Sequence, residues 1–300
     1  VNLLNTEKEC RNAYRDILLG RSFVKEKGIY IKHFKEEDIG KIDCIYQNSI
    51  DEGKKIGLVF ERDQLKWLKK QEYWVDDDEE VFINAKLAVK DAEEHKMSLA
   101  LDEQREKMDE VIEEKNEELS KVAKERAELI GITLEKYASQ KVNEKYVYYS
   151  FYKEKELKEL CYTEEEFDNL TNEGLAEIVG IYNRIVSVMS EENIKRIAVN
   201  AFFLNPYFIC DDDPVRFFGK NVLELTIYQM NLFSRGKFYK SIINEGKSPP
   251  DEIYERPDYI EKLARFYENA FNMLQADRRR MEAEAKAAAN KNAIGRRHRA

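Results

Sequence analysis

Three aspartates stand side by side at 211–213, inside NPYFICDDDPVRFFGK (205–220). Carboxylates in a row invite a metal reading, because a hard divalent cation takes oxygen ligands. Those ligands must converge from several directions, and consecutive side chains splay apart. At most two of the three could join one ion, and the loop lacks the spacing and glycine of an EF-hand. The stronger reading makes Asp213 the N-cap of a short helix, with Pro214 at its first position and Gly219 closing it. Asp211 and Asp212 then have no capping role, and face either solvent or a basic partner.

The other chemistry-bearing residues are sparse. Glu113, Glu114, Glu117 and Glu118 have helical metal-site spacing, but no E-x-x-H accompanies them, so they read as a solvated helix face. Pro250-Asp251 and Pro257-Asp258, followed by Glu261 and Lys262, suggest a PD-(D/E)xK nuclease. That site needs an acid and a lysine one residue apart on a strand; here they are adjacent in a helical pattern, and the reading is rejected. His33 has no nucleophile elbow near it, and His95 sits in a charged helix where exposure is the default. No phosphate-binding glycine motif occurs. The four cysteines, at 10, 44, 161 and 210, form no C-x-x-C pair and read as reduced, mostly buried thiols. No catalytic residue, metal or cofactor is therefore expected.

Composition narrows the class. The 300 residues are 36% charged, with twelve Gly and five Pro, which favours long helices with solvated faces. A net charge of −9 argues against nucleic acid as the partner of the whole chain. No apolar run reaches the length of a bilayer span, so no membrane partner is expected.

The elements fall into four stretches, and the fold class they predict is mainly α. Residues 1–75 form a small mixed unit. Thr6 and Glu9 make a capping box and Gly20 a stop; SFVKEKGIYIKHF reads as a β-hairpin, and helices follow from about 36 to 52 and over ERDQLKWLKKQEYW. Residues 76–142 read as a long charged helical arm that projects from the body. DDDEE at 76–80 starts it, and Gly131 marks a break. Leu101, Met108, Val122 and Leu129 keep a seven-residue step that Lys115 interrupts, a thin stripe suited to one partner helix. Residues 143–275 form a helical domain. Within it EKYVYYSFYKEK (144–155) breaks the helical pattern, as a strand or an aromatic docking segment. One helix is expected to end by Asn205 because of Pro206, another to start at an Asn221–Glu224 capping box, and a last one to start at Pro257. Residues 276–300 are an Ala-rich helix end and a basic tail that closes on Arg296, Arg297, His298 and Arg299.

Taken in order, EGKKIGL, ERDQLKWLKKQEYW, the long charged helix, ITLEKYASQKVNEKY, IYNRI, SEENIKRIAVNAFFLNPYFICDDDPVRFFGK and LTIYQMNLFSRGKFYKSII resemble uncharacterised structural and tail-assembly proteins of large tailed bacteriophages. The resemblance covers about 50–245 and is one of pattern, without a diagnostic motif. It implies a non-enzymatic component of a virion (tail, baseplate or neck) or a tail-assembly factor, located in the virion or the host cytoplasm. Its partners would be proteins of a larger assembly, including copies of itself. The surfaces expected to meet them are the stripe Leu101, Met108, Val122, Leu129 and the aromatics Tyr146, Tyr148, Tyr149 and Phe151. The tail arginines 296, 297 and 299 could neutralise nucleic-acid phosphates or dock on an acidic protein surface. Two alternatives stay open: a nucleic-acid-associated protein using that tail, and a metal-dependent enzyme at 211–213.

Overall fold

The computed structural model describes residues 3–99, 102–275 and 280–281. In chain order the elements are α1 (Glu7–Leu19), β1 (Arg21–Val24), β2 (Ile29–Lys32), α2 (Glu36–Lys55), α3 (Glu61–Lys70), α4 (Asp76–Ser98), α5 (Asp102–Ile130), α6 (Leu134–Ser150), β3 (Phe151–Tyr152), α7 (Glu164–Asp168), α8 (Asn172–Val188), α9 (Glu191–Ala198), α10 (Ala201–Ile209), α11 (Pro214–Phe218), α12 (Ile227–Asn244) and α13 (259–275). The fold is mainly α with one small antiparallel sheet, ordered β1-β2-β3. Two compact units share the chain: 1–40 with 146–300, and 41–145. Both boundaries fall inside continuous helices, α2 and α6.

In the first unit, local chemistry sets the entry. The Thr6 hydroxyl accepts from the Glu9 N–H, and the Glu9 carboxylate accepts from the Thr6 N–H at 3.0 Å. Gly20, at φ 67°, closes α1 in a left-handed conformation that a side chain would resist. The chain then turns directly into the β1–β2 hairpin, paired Ser22 with Ile31 and Val24 with Ile29. Val24, Ile31 and Phe151 from the sheet pack with Val147, Phe167, Ile178 and Ile181. A larger core gathers α1, α9, α10, α12 and α13 around Ile17, Phe203, Tyr207, Leu232, Tyr239 and Tyr267.

Four expectations fail here, three of them for a tertiary reason. The segment 143–150 is helix, and only Phe151–Tyr152 are strand. Extending a helix already nucleated at Leu134 costs less than starting a new element, and it buries Val147 and Tyr148. Pro206 does not end its helix; α10 runs through it to Ile209, and the break lies earlier, at Val199–Asn200. An interior proline costs about 3 kcal/mol, but burying Phe203, Leu204 and Tyr207 returns about 1.5–3 kcal/mol for each side chain. Asn221 makes no side-chain cap, and only a 3-10 turn, Val222–Glu224, follows it. The capping box is Thr226 with Gln229, where α12 begins. Gln229 wins because its amide also donates to the carbonyls of Ile17 (2.9 Å) and Leu18 (3.0 Å) at the end of α1. The last helix starts at 259, two residues beyond Pro257.

In the second unit, α4 and α5 form an antiparallel helical hairpin: Glu79 meets Arg126 near one end, and Lys96 meets Asp109 near the other. Asp78 accepts from the Val75 N–H at 2.9 Å, so the acidic run does begin α4. The expected break at Gly131 is present, with φ 72°. A second break follows Ser98. No helix among the described residues is long and apolar enough to cross a membrane.

Candidate interaction surface

Of the expected stripe, Met108 and Val122 are half-buried on α5 and Leu129 is exposed. On α5 the half-buried positions are 105, 108, 112, 115, 119, 122, 123 and 126; apart from 123 they recur every three or four residues. Among the described side chains of α4 and α5, only Val89 and Ile130 are fully buried. A seam this narrow closes one face of each helix and leaves the others to solvent.

Polar chemistry fixes the base of the hairpin. Arg126 donates from Nη1 to Glu61 Oε1 (2.8 Å), from Nε to Glu79 Oε2 (2.9 Å) and from Nη2 to Glu79 Oε1 (3.0 Å). Trp74 Nε1 donates to the same Glu79 carboxylate at 2.7 Å. The guanidinium also lies 4.7 Å from the Phe82 ring centroid. The Arg126 hydrogen bonds hold Glu79 below the usual carboxylate range. This two-pronged arrangement suits arginine and not lysine. It surrounds a small apolar cluster of Leu68, Trp74 and Ile130 with Leu65, Phe82 and Val122 beside it.

Outside that cluster the unit leaves large apolar side chains in solvent. Ile56, Trp67, Tyr73, Val81 and Ile132 are at least half exposed, and Ile83 and Leu87 nearly so. Several are grouped. The Trp67 and Tyr73 rings lie 6.2 Å apart, and Ile83 and Leu87 are one turn apart on α4. Scattered exposed apolar residues are ordinary, and 1–40 with 146–300 also leaves Phe23, Ile209 and Leu223 at least half exposed.

The residues singled out from the sequence separate into three groups. Met108 and Val122 sit half-buried in the seam, and Leu129 is exposed beyond it. Tyr148 and Phe151 are core residues, with Tyr148 edge-on to Phe167 at 5.3 Å. Tyr149 is exposed and Tyr146 half-buried, its ring 5.4 Å from Phe34. Leu101, Arg296, Arg297 and Arg299 lie outside the described residues.

The aspartate run resolves as a corner. Asp213 Oδ1 accepts from the Val215 N–H at 2.9 Å, with Pro214 first in α11 and Gly219 closing it. Asp211 and Asp212 take left-handed conformations, φ 54° and 58°. Lys240 Nζ reaches both carboxylates, at 3.7 and 3.3 Å. The basic partner is thus internal. Among the described residues no group of three or more His, Cys, Asp or Glu side chains converges to hold a metal ion. The cysteines are free thiols: Cys10 and Cys210 are buried, Cys161 half-buried and Cys44 exposed. Burial pushes the Cys10 thiol up to about 12.

The Arg126 network escaped the sequence reading, because its four members are spread over 61–126 and only the hairpin register joins them. Compared with known proteins, the chain matches no family model, no curated protein and no solved structure.

Proposed function

We propose that the protein is a non-enzymatic interaction component of a larger assembly, working through helix-mediated contacts of residues 41–145. The observation that carries this is the set of large apolar side chains, Ile56, Trp67, Tyr73, Val81, Ile83, Leu87 and Ile132, held in solvent on one compact unit. Burying them on a partner is the favourable term, and charge selects the partner and the register. Residues 41–145 hold 27 acidic and 19 basic residues, nearly all of the chain's net charge of −9. A partner surface with an apolar centre and a basic rim complements that. The resemblance to tailed-phage structural and tail-assembly proteins gives the setting we propose, a virion or its assembly pathway, with copies of this chain among the partners.

The test is the native mass by sedimentation, at low and high salt, for the wild type and for Ile83→Glu/Leu87→Glu. The wild type is expected above the mass of one chain and the double variant at it. A wild type that stays a single chain at tens of micromolar, with the variant indistinguishable from it, overturns the reading.

A further inference from the structure

Tyr182 on α8 and Tyr228 on α12 are half-buried, and burial raises both phenols, so both stay protonated and neutral. The Tyr182 phenol is raised further by those of Tyr228 and Tyr146, so both of these hydroxyls lie within its field. Among the described residues neither the Tyr182 nor the Tyr228 hydroxyl has a hydrogen-bond partner, and neither is sealed from solvent. A hydroxyl that has lost much of its water and gained no partner is unfavourable. An acceptor that can reach it relieves that cost.

Both tyrosines line one cleft of about 140 Å³, and Phe34, Tyr146, Ile185 and Ile227 make up much of the remaining wall. Backbone bonds and ring contacts hold that wall in place. The Ile227 N–H donates to the Phe34 carbonyl at 2.9 Å, and Lys35 bridges to Thr226 beside it. The hairpin register sets His33 diagonally across from Ser22, whose Oγ lies 2.9 Å from His33 Nε2. His33, held neutral by burial, then stands edge-on to Tyr228, ring centroids 5.0 Å apart. The one charged side chain on the wall, Lys32, is paired with Asp38 at 2.7 Å. Its ammonium disfavours a cation in the cleft, and its pairing leaves no net charge to hold an anion. The volume is close to the ~150 Å³ of an apolar cavity that admits benzene. A mostly apolar enclosure with a few polar groups facing into it has the character of a small-ligand site.

From this geometry we infer that the cleft binds one small neutral ring bearing a carbonyl oxygen, with the Tyr182 and Tyr228 hydroxyls donating to the oxygen and Phe34, Ile185 and Ile227 packing on the ring. The site is independent of the proposed interaction surface, since all its residues belong to 1–40 and 146–300.

The experiment titrates the full-length chain by calorimetry with three probes: cyclohexanone, methylenecyclohexane, which has nearly the same shape and no oxygen, and tetramethylammonium. Cyclohexanone is expected to saturate and to bind about tenfold more tightly than methylenecyclohexane, the usual worth of a hydrogen bond to a desolvated group. Tyr182→Phe and Tyr228→Phe keep the rings and remove the hydroxyls. Each should weaken cyclohexanone toward the level of methylenecyclohexane and leave methylenecyclohexane unchanged, whereas a merely structural role would move both probes together. Ile185→Trp, which fills one side of the cleft, should abolish binding and keeps the test available if a tyrosine variant does not fold; binding that survives it lies elsewhere and counts against the site. Absence of saturable cyclohexanone binding at millimolar probe, equal affinity for the two rings, or tighter binding of tetramethylammonium overturns the inference.

Discussion

The two compact units bury their apolar residues to different degrees. Of the hydrophobic side chains with no exposure at all, only Ala138 belongs to residues 41–145 among the described residues. The other unit packs ring on ring. Tyr207 contacts Phe203 at 5.5 Å and Phe233 at 5.1 Å, and Tyr239 contacts Tyr267 at 4.7 Å. Gly236 makes this possible: a Cβ there would stand 2.5 Å from the Tyr207 ring. In 41–145 most of the hairpin seam is half-buried, and a partly exposed ion network does the fixing. The difference teaches that helix content and stability are separate matters. A unit can be almost wholly helical and still leave large apolar side chains in solvent, because a thin stripe closes only one face.

Three measurements break or sharpen that contrast. Phe203→Ala should show the largest effect, a loss of about 3–5 kcal/mol in urea unfolding followed by far-UV circular dichroism, the usual range for emptying a closed aromatic site. A loss below about 1 kcal/mol would mean that the core around α10 is not closely packed. Next comes pH. The ordinary histidine value is 6.5 and that of buried His33 about 4. Above pH 6.5 both folded and unfolded chains carry it neutral. As pH falls through 6.5 toward 4 the unfolded chain takes the proton first, so stability drops, by about 2–3 kcal/mol between pH 7 and 4.5. The same pH series on His33→Phe isolates this part from the carboxylates, and parallel curves for the two proteins would contradict it. Arg126→Ala is the smallest, about 1–3 kcal/mol, because it strands a Glu79 carboxylate that is only partly open to water. Both tryptophans, Trp67 and Trp74, lie in 41–145, so their emission follows the unfolding of that unit. An unchanged midpoint would reduce the network to a surface ion pair.

Legibility followed locality. The Thr6–Glu9 box, the Asp213-Pro214 helix start, the Gly131 break and the hairpin around Lys27-Gly28 each depend on residues within four or five positions, and each is in the structure. The Asn221–Glu224 box had the same local form as Thr226–Gln229 and lost, because α1 offers its carbonyls to Gln229 and nothing comparable favours Asn221. Pro206 and the aromatic run at 146–152 were misjudged for one reason: propensity is a weak prior once buried rings weigh against it. His33 was within reach, since the hairpin register alone places it diagonal to Ser22.

By itself, the sequence determined the mainly helical class, the start of the charged helical stretch at 76–80, its break at Gly131 and the corner at 211–219. These rest on periodicity, backbone preference and short-range hydrogen bonds, which neighbours in the chain settle among themselves. Tertiary structure decided which aromatics are core and which are surface, and it supplied the Lys240 partner of Asp211 and Asp212. It also joined Glu61, Trp74, Glu79 and Arg126, and enclosed His33 in a cleft. Each of those depends on residues distant in the chain, so only packing, which weighs every alternative burial at once, could fix them.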